Sequence, residues 1–288
     1  MRIPSATIIQ SLQPRSDDVM DRVVFESVRK VFRHRPALFN WLGNERTGET
    51  VALRAISFSA KPGEVLVLLG ANGSGKTTAL KLISTMLLPD AGSIRVQGCD
   101  TQRAGGCVRK QVGIAVATER SFFPRLSARE NLEFFSALDE VPRRERGSRI
   151  EAVLSDTGLS EQSNTLVMKF SSGMYQRLGI ARALVKGPAV LLLDEPTRSL
   201  DAGSTAHFWA MLRNLAEQDT TILLATHNFA EAAAVGDRLL LLHRGELLAD
   251  RSVAAEGNSV EQIRSFFFRV TGEGEAHSEF EQRAGSVP

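Results

Sequence analysis

Short apolar runs mark the predicted core of the protein. The runs at residues 65–69, 189–193 and 220–225 lack the alternation of apolar and polar positions that a half-exposed strand shows. Parallel strands that helices cover on both faces have this uninterrupted pattern. Helical periodicity follows at residues 204–218 and 230–235. The second half of the chain therefore predicts an α/β layer in which parallel strands alternate with helices.

The first half of the chain predicts a different mixture of elements. Four stretches have the composition of strands, and the first two predict a small antiparallel sheet: residues 23–32, 50–58, 93–96 and 112–117. A helix is predicted at residues 79–88. Residues 124–158 are mostly helical in pattern, most strongly at 128–138, and belong to a predicted α-helical subdomain at about 119–185.

The last third of the chain predicts a hairpin and a final helix. Strands at residues 238–242 and 246–249 flank a short turn, and a helix is predicted at 260–270. The resulting division is a flexible lead at 1–20, one main domain at 21–250, and a C-terminal helix with a flexible tail at 251–288.

Composition narrows the classes of function. The 288 residues include 35 Lys and Arg and 33 Asp and Glu, a balance that argues against a nucleic-acid partner. The N-terminus lacks an apolar core of signal-peptide length, and the longest apolar runs are too short to cross a bilayer, so a cytosolic chain is expected unless a partner holds it at a membrane. Cys99 and Cys107 have no neighbouring histidine, which predicts neither a zinc site nor a disulfide.

A glycine-rich segment lies between the strand at 65–69 and the helix at 79–88. It has the form G-x-x-x-x-G-K-[ST], and that form in a strand–loop–helix setting predicts a cradle of backbone N–H groups for the phosphates of a nucleoside triphosphate. Lys76 would reach the outer phosphates and Thr77 would hold Mg²⁺. The predicted nucleotide-binding residues of this loop are Gly70, Asn72, Gly73, Ser74, Gly75, Lys76, Thr77 and Thr78.

Acidic residues and a histidine follow two later strands. Asp194 and Glu195 come at the end of the run at 189–193, and His227 comes just after the run at 220–225. Open α/β sheets bind ligands at the carboxyl ends of their strands. We therefore expect Asp194 to help hold Mg²⁺, Glu195 to orient or deprotonate an attacking water, and His227 to donate a hydrogen bond to the terminal phosphate.

A second small-residue segment precedes a helix. Ser171, Ser172 and Gly173 come just before an apolar helical pattern at residues 178–185. Taken alone, this segment is a helix cap, and it also has the composition of an anion-binding helix N-terminus.

Together these motifs resemble the ATP-binding subunits of ATP-binding-cassette (ABC) transporters. The resemblance covers about residues 23–249. It includes, in order, the phosphate loop at 70–77, a signature at 171–174, the acidic strand end at 194–195, a distal loop at 199–201 and a switch histidine at His227.

The resemblance implies a fold and a mechanism. The fold is an α/β P-loop NTPase with a mainly parallel core sheet, a small antiparallel β subdomain and an inserted α-helical subdomain. Two subunits, identical or different, would pack head to tail and enclose ATP and Mg²⁺ between the phosphate loop of one and the signature of the other. Ser171, Ser172 and Gly173 would then touch the partner's ATP, Asp201 would lie across the interface, and Phe32 would stack on adenine.

The resemblance also implies a partner and a location. A separate transmembrane permease would hold the chain at the cytoplasmic face of the cell membrane. The signature reads Ser-Ser-Gly-Met instead of the common Ser-Gly-Gly-Gln, a form similar to exporters of polysaccharides and of drugs or antibiotics. Where a glutamine normally contacts Mg²⁺, the chain has Glu119, which is the expected substitute ligand.

Three hypotheses follow from these observations. The first is a subunit that hydrolyses ATP to power export through the permease. The second is a soluble ABC-type ATPase of DNA repair, chromosome organisation or translation, although the chain lacks the long coiled-coil insertion or second phosphate loop of such proteins. The third is a nucleotide-binding regulatory module without hydrolysis, against which Glu195 and His227 argue.

Overall fold

The computed structural model describes residues 21–33, 48–116, 122–253 and 259–272. Within these ranges the chain forms two β-sheets and eight α-helices. The predicted lead at 1–20, the tail beyond residue 272 and Glu119 lie outside the described residues.

A four-stranded antiparallel sheet forms the first layer, in the order β2-β1-β4-β5. Its strands are β1 (Val23–Arg33), β2 (Glu49–Ala60), β4 (Ala91–Val96) and β5 (Cys99–Asp100). The predicted pairing of the first two strands is confirmed, because Val23 lies opposite Ala60 and Arg33 lies opposite Glu49.

A six-stranded sheet forms the second layer, in the order β10-β9-β3-β8-β7-β6. Its strands are β3 (Val65–Leu69), β6 (Val112–Val116), β7 (Val190–Asp194), β8 (Thr221–Thr226), β9 (Arg238–His243) and β10 (Glu246–Ser252). All neighbouring pairs are parallel except the hairpin of β9 and β10. The predicted fold class, a P-loop NTPase with a mainly parallel core sheet, is confirmed.

The parallel strands carry a hydrophobic core on each face. Alternate residues of β3 point to opposite sides, so that Val65, Val67 and Leu69 join one core while Leu66 and Leu68 join the other. Every residue of β3, β7 and β8 is buried. Burial on both faces explains why these three runs show no polar alternation in the sequence.

Helices cover these faces and build the inserted subdomain. Their bounds are α1 (Lys76–Ile83), α2 (Gly105–Gln111), α3 (Ala128–Leu138), α4 (Arg143–Asp156), α5 (Ser172–Leu184), α6 (Ala202–Glu217), α7 (Phe229–Val235) and α8 (Val260–Thr271). Helix α3 begins with a reciprocal capping box, in which Ser127 accepts from the backbone of Glu130 and the Glu130 carboxylate accepts from the backbone of Ser127.

Two details of the sequence analysis were wrong. The helix predicted at 79–88 starts earlier and ends at Ile83, because Thr85 takes a left-handed conformation (φ 64°) that ends the helix. Cys99 and Cys107 form a disulfide, although free thiols were expected. The sequence analysis did not find this bond because the two short elements β5 and α2, which bring the sulfurs together, were not predicted.

One acidic side chain is buried inside the fold without full hydrogen bonding. Glu231 of α7 is completely buried, and neither carboxylate oxygen has a partner of good hydrogen-bond geometry. Burial raises the pKa of this carboxyl, and hydrogen bonding from the nearby side chains of Thr226, Thr197 and Trp209 lowers it by less. The folded chain therefore binds the Glu231 proton more tightly than the unfolded chain does.

We predict that Glu231→Gln becomes more stable relative to the wild type as pH rises. A raised folded-state pKa gives stability that is fully present below the unfolded pKa of about 4.3 and is lost as pH rises through the folded pKa. Glutamine removes this loss, by about 1.4 kcal/mol for each unit between the two pKa values. Urea denaturation at several pH values measures the difference. The exposed Glu217→Gln serves as control, and a Glu231→Gln effect that does not change with pH would contradict the prediction.

Candidate active site

The phosphate loop joins the end of β3 to the start of α1. Gly73 and Gly75 have left-handed φ angles of 78° and 112°. A Cβ at Gly75 would lie 2.7 Å from the carbonyl oxygen of Ala52, and one at Gly70 would lie 2.3 Å from that of Leu242. Only glycine fits these two close approaches, and the loop keeps the open curl that leaves its N–H groups for a ligand.

Polar groups of the loop are buried in the manner of an anion site. Lys76 is 5% exposed, and its ammonium donates to the carbonyl oxygens of Gly70 at 2.6 Å and Ala71 at 3.0 Å. Burial lowers its pKa, while the charges of Glu195 and Asp194 raise it. The Ser74 hydroxyl is buried and has no hydrogen-bond partner. The loop thus presents a cation and a free hydroxyl that fit the phosphates of a nucleotide.

The remaining predicted residues of the loop occupy two positions. Asn72 is exposed at its tip together with Gly73, and Thr78 lies half-buried within α1.

The two predicted magnesium ligands in the described chain are adjacent. The Thr77 hydroxyl donates to Asp194 Oδ2 at 2.8 Å. Asp194 is 8% exposed, and burial raises the pKa of its carboxyl while the Thr77 hydrogen bond lowers it. No group of three or more His, Cys, Asp and Glu side chains with metal-binding geometry occurs among the described residues. Hard oxygen donors in this number fit Mg²⁺, which normally completes its shell with water and phosphate oxygens.

Glu195 and His227 form a pair at the same edge of the sheet. Glu195 Oε1 lies 2.8 Å from His227 Nδ1. The pair meets because β7 and β8 are neighbours, with Asp194 opposite Ala225. Glu195 has a φ of 49°, a left-handed conformation that a non-glycine residue adopts only when its surroundings hold it there.

The signature segment caps α5. The Ser171 hydroxyl accepts from the Met174 N–H at 3.2 Å, and Ser171 and Ser172 are exposed. A Cβ at Gly173 would lie 2.8 Å from the Ser199 carbonyl oxygen, so glycine lets α5 approach the distal loop closely. Within one chain this segment therefore acts as a helix cap, as its composition predicts.

Two further predicted residues lie outside the edge of the parallel sheet. Asp201 caps α6, where its carboxylate accepts from the Ser204 N–H at 2.8 Å and hydroxyl at 2.9 Å, and the backbone bond is the main cause of its lowered pKa. Phe32 lies on β1 opposite Thr50, with the Lys30 ammonium 5.8 Å from its ring centre.

Sequence reasoning missed Gln176. Its Nε2 donates to the Glu195 carbonyl oxygen at 3.0 Å and to that of Pro196, and its Oε1 accepts from the Ser199 N–H at 3.2 Å. Its amide is half-buried in the structure. In the sequence, the signal that could have drawn attention to it is an amide next to an otherwise apolar helical pattern.

Known proteins have sequences similar to this chain. The profile of the family described as ABC transporter matches residues 53–198. The ABC transporter ATP-binding protein NatA of Bacillus subtilis is 37% identical over 197 residues, which are 68% of this chain and 80% of NatA. The daunorubicin resistance ATP-binding protein DrrA3 of Streptomyces coeruleorubidus is 35% identical, over 72% of this chain and 65% of its own. The Nod factor export ATP-binding protein I of Rhizobium etli is 36% identical, over 70% and 64%.

A solved structure has the same fold and a related sequence. The ATP-binding cassette MJ0796, determined as a dimer in a post-hydrolysis state with ADP and phosphate, superposes with a TM-score of 0.71 at 26% identity and covers 80% of this chain and 98% of its own. None of the helices in the described part of this chain has the length and apolar character needed to cross a membrane. The family profile and the identity with NatA show that the chain belongs to the ABC transporter family, as an ATP-binding subunit that hydrolyses ATP.

Proposed function

We propose that this subunit powers export of a small molecule through a separate membrane permease. The observation that carries the proposal is the convergence of Thr77, Asp194, Glu195 and His227 at one edge of the sheet, where hydrolysis needs them. Export is supported by the relatives whose names refer to Nod factor export and daunorubicin resistance. The second hypothesis, a soluble ATPase of DNA repair, chromosome organisation or translation, has no support among these relatives.

Nucleotide binding is assigned to the phosphate loop. The backbone N–H groups at residues 70–78 and the positive end of α1 would receive the phosphates, and Lys76 would exchange its two carbonyl partners for outer phosphate oxygens. Thr77 and Asp194 would hold Mg²⁺, which would neutralise part of the charge of the phosphates. Glu119 stays the predicted additional ligand, and Phe32 stays the predicted adenine contact.

Proton transfer is assigned to Glu195. An ionised carboxylate can only accept hydrogen bonds, so the contact with His227 is a donation from Nδ1–H, and this assigns the tautomer. That bond orients the carboxylate, which would take a proton from the attacking water as general base. The contact with Glu195 leaves His227 Nε2, the other ring nitrogen, for the predicted contact with the terminal phosphate.

The remaining predicted residues are assigned to a dimer interface. Ser171 and Asp201 are exposed, and each uses only part of its hydrogen-bonding capacity in capping its own helix. Ser171, Ser172 and Gly173 would contact ATP held by a second subunit, and Asp201 would lie at the junction. The dimeric state of the related MJ0796 cassette supports this arrangement.

Permease docking is assigned to an exposed apolar patch on the helical part of the chain. The patch consists of Phe123, Phe134, Leu138 and Met168, whose exposed fractions lie between 45% and 66%. Phe123 and Phe134 form an edge-to-face pair at 4.8 Å, Leu138 lies one turn after Phe134 on α3, and the Met168 N–H donates to Pro124. Clustered exposed apolar side chains mark a protein contact, here one that holds the chain at the cytoplasmic face of the membrane.

We predict that Lys76→Ala weakens ATP binding by about 10- to 100-fold, since it removes a charged hydrogen bond to phosphate. Titration with a fluorescent ATP analogue measures the Kd. Lys110→Ala, which removes an exposed lysine paired with Glu140, is the matched control. Unchanged binding in the Lys76 variant would refute the cradle assignment.

We predict that Glu195→Gln binds ATP normally but loses about 10²- to 10⁴-fold in kcat, the usual contribution of a general base. The variant should also accumulate a dimer with Mg-ATP in size-exclusion chromatography, because the groups that grip ATP are intact. Glu161→Gln, an exposed position, should behave as wild type. Wild-type turnover in Glu195→Gln would remove this residue from the mechanism.

We predict that Phe134→Asp abolishes copurification with the transmembrane permease subunit when the two are co-expressed. Its ATPase rate in isolation should stay within about twofold of wild type, since surface changes away from a site cost little. Leu88→Asp places the same charge on another exposed apolar residue and should leave copurification intact. Equal loss in both variants would argue against this patch.

A further inference from the structure

Helix α5 contacts the catalytic strand end through one side chain. Gln176 donates to the carbonyl oxygens of Glu195 and Pro196 and accepts from the N–H of Ser199. These three groups span the turn that leaves β7 and enters the distal loop. A single amide therefore fixes both ends of the turn that starts at the proposed general base.

The backbone of Glu195 needs such support. Its φ of 49° belongs to a sparsely populated region, and residues in that region persist only where neighbouring contacts determine them. On one side the Glu195 N–H donates to the Ala225 carbonyl oxygen at 2.9 Å. On the other side the Glu195 carbonyl oxygen accepts from Gln176 and from the Arg198 N–H at 3.3 Å. Without the amide, the carbonyl side of the residue keeps only the longer bond within the turn.

We propose that Gln176 is the positioning residue of the hydrolytic site. It holds the peptide groups on either side of Pro196 so that the Glu195 carboxylate stays beside His227. The proposal rests on the role assigned to Glu195 above. Gln176 contacts the backbone and not the reacting atoms, so it acts on turnover through the orientation of the base.

The same helix connects the two ATP sites of a dimer. Ser171 caps α5 and Gln176 lies five residues later, a rise of about 7.5 Å along the helix axis. In the proposed dimer the Ser171 end faces nucleotide held by the partner, while Gln176 holds the backbone carbonyl of Glu195 in its own chain. Any shift of α5 toward the partner's nucleotide therefore moves the support of Glu195 directly.

The test compares two substitutions that remove different bonds. Gln176→Glu keeps an acceptor for the Ser199 N–H but loses the donor to Glu195 and Pro196. Gln176→Met keeps the length of the side chain and loses both. Steady-state ATPase assays give kcat, KM and the Hill coefficient for ATP, and a fluorescent ATP analogue gives Kd. Gln218→Met, an exposed position at the end of α6, is the matched control.

We expect both Gln176 variants to lose about tenfold or more in kcat while KM and Kd stay within about twofold, and to bring the Hill coefficient toward that of independent sites. A role limited to stability would instead lower binding and turnover together. Wild-type kcat in Gln176→Met, or a rise in KM equal to the loss in kcat in both variants, would overturn the proposal. If Gln176→Met does not fold, the kcat, KM and Kd of Gln176→Glu alone test the proposal. Glu195→Gln assayed in parallel separates the two proposals, since wild-type turnover there refutes the base assignment whatever Gln176 does.

Discussion

Parallel pairing of β3, β8 and β7 is the constraint on which the rest of the structure depends. Leu69 lies opposite Thr226, and Asp194 lies opposite Ala225, so the three strands end at the same level. Loops that follow parallel strands must leave from the same edge of the sheet. The strands are held in this register by complete burial on both faces, worth about 1.5–3 kcal/mol for each large apolar side chain. The packing of the core therefore determines where the residues of the site lie.

That core also sets the electrostatics of the site. Lys76 and Asp194 are both nearly buried. Burial disfavours their charged forms, so it lowers the pKa of the ammonium and raises the pKa of the carboxyl. Each is kept near an opposite charge, which limits the cost. Charges interact more strongly where water is excluded. The buried ammonium would therefore attract a phosphate strongly, and the buried carboxylate would attract a cation strongly. Burial thus makes isolated charges costly at the edge of the sheet and favours a charged ligand that pairs with them.

The sequence predicted the parts of the fold that depend on local pattern. Continuous apolar runs, the glycines of the phosphate loop and the acids after β7 each carry their signal within a few residues. The parts it missed depend on contacts between distant segments. Gln176 acts on residues 19 and 20 positions away, and Glu231 is buried near Thr197 and Trp209, which are more than 20 positions before it. The disulfide required two short elements that have no distinctive pattern. The division into domains stays a prediction.

The helical part of the chain and the hydrolytic turn are joined by a continuous set of contacts. Phe122 lies next to Phe123 of the apolar patch and packs edge-to-face against Phe135 at 5.8 Å and Tyr175 at 5.1 Å. Its N–H donates to the Tyr175 hydroxyl at 3.3 Å, and the next residue, Gln176, grips the Glu195 turn. Close-packed interiors transmit displacement because they cannot be compressed. In the proposed complex, a permease that presses on the patch would therefore act on the first turn of α5, and through it on the strained backbone of Glu195. Strain at that residue would make the geometry of Glu195 depend on contacts that a permease and a second subunit could each change.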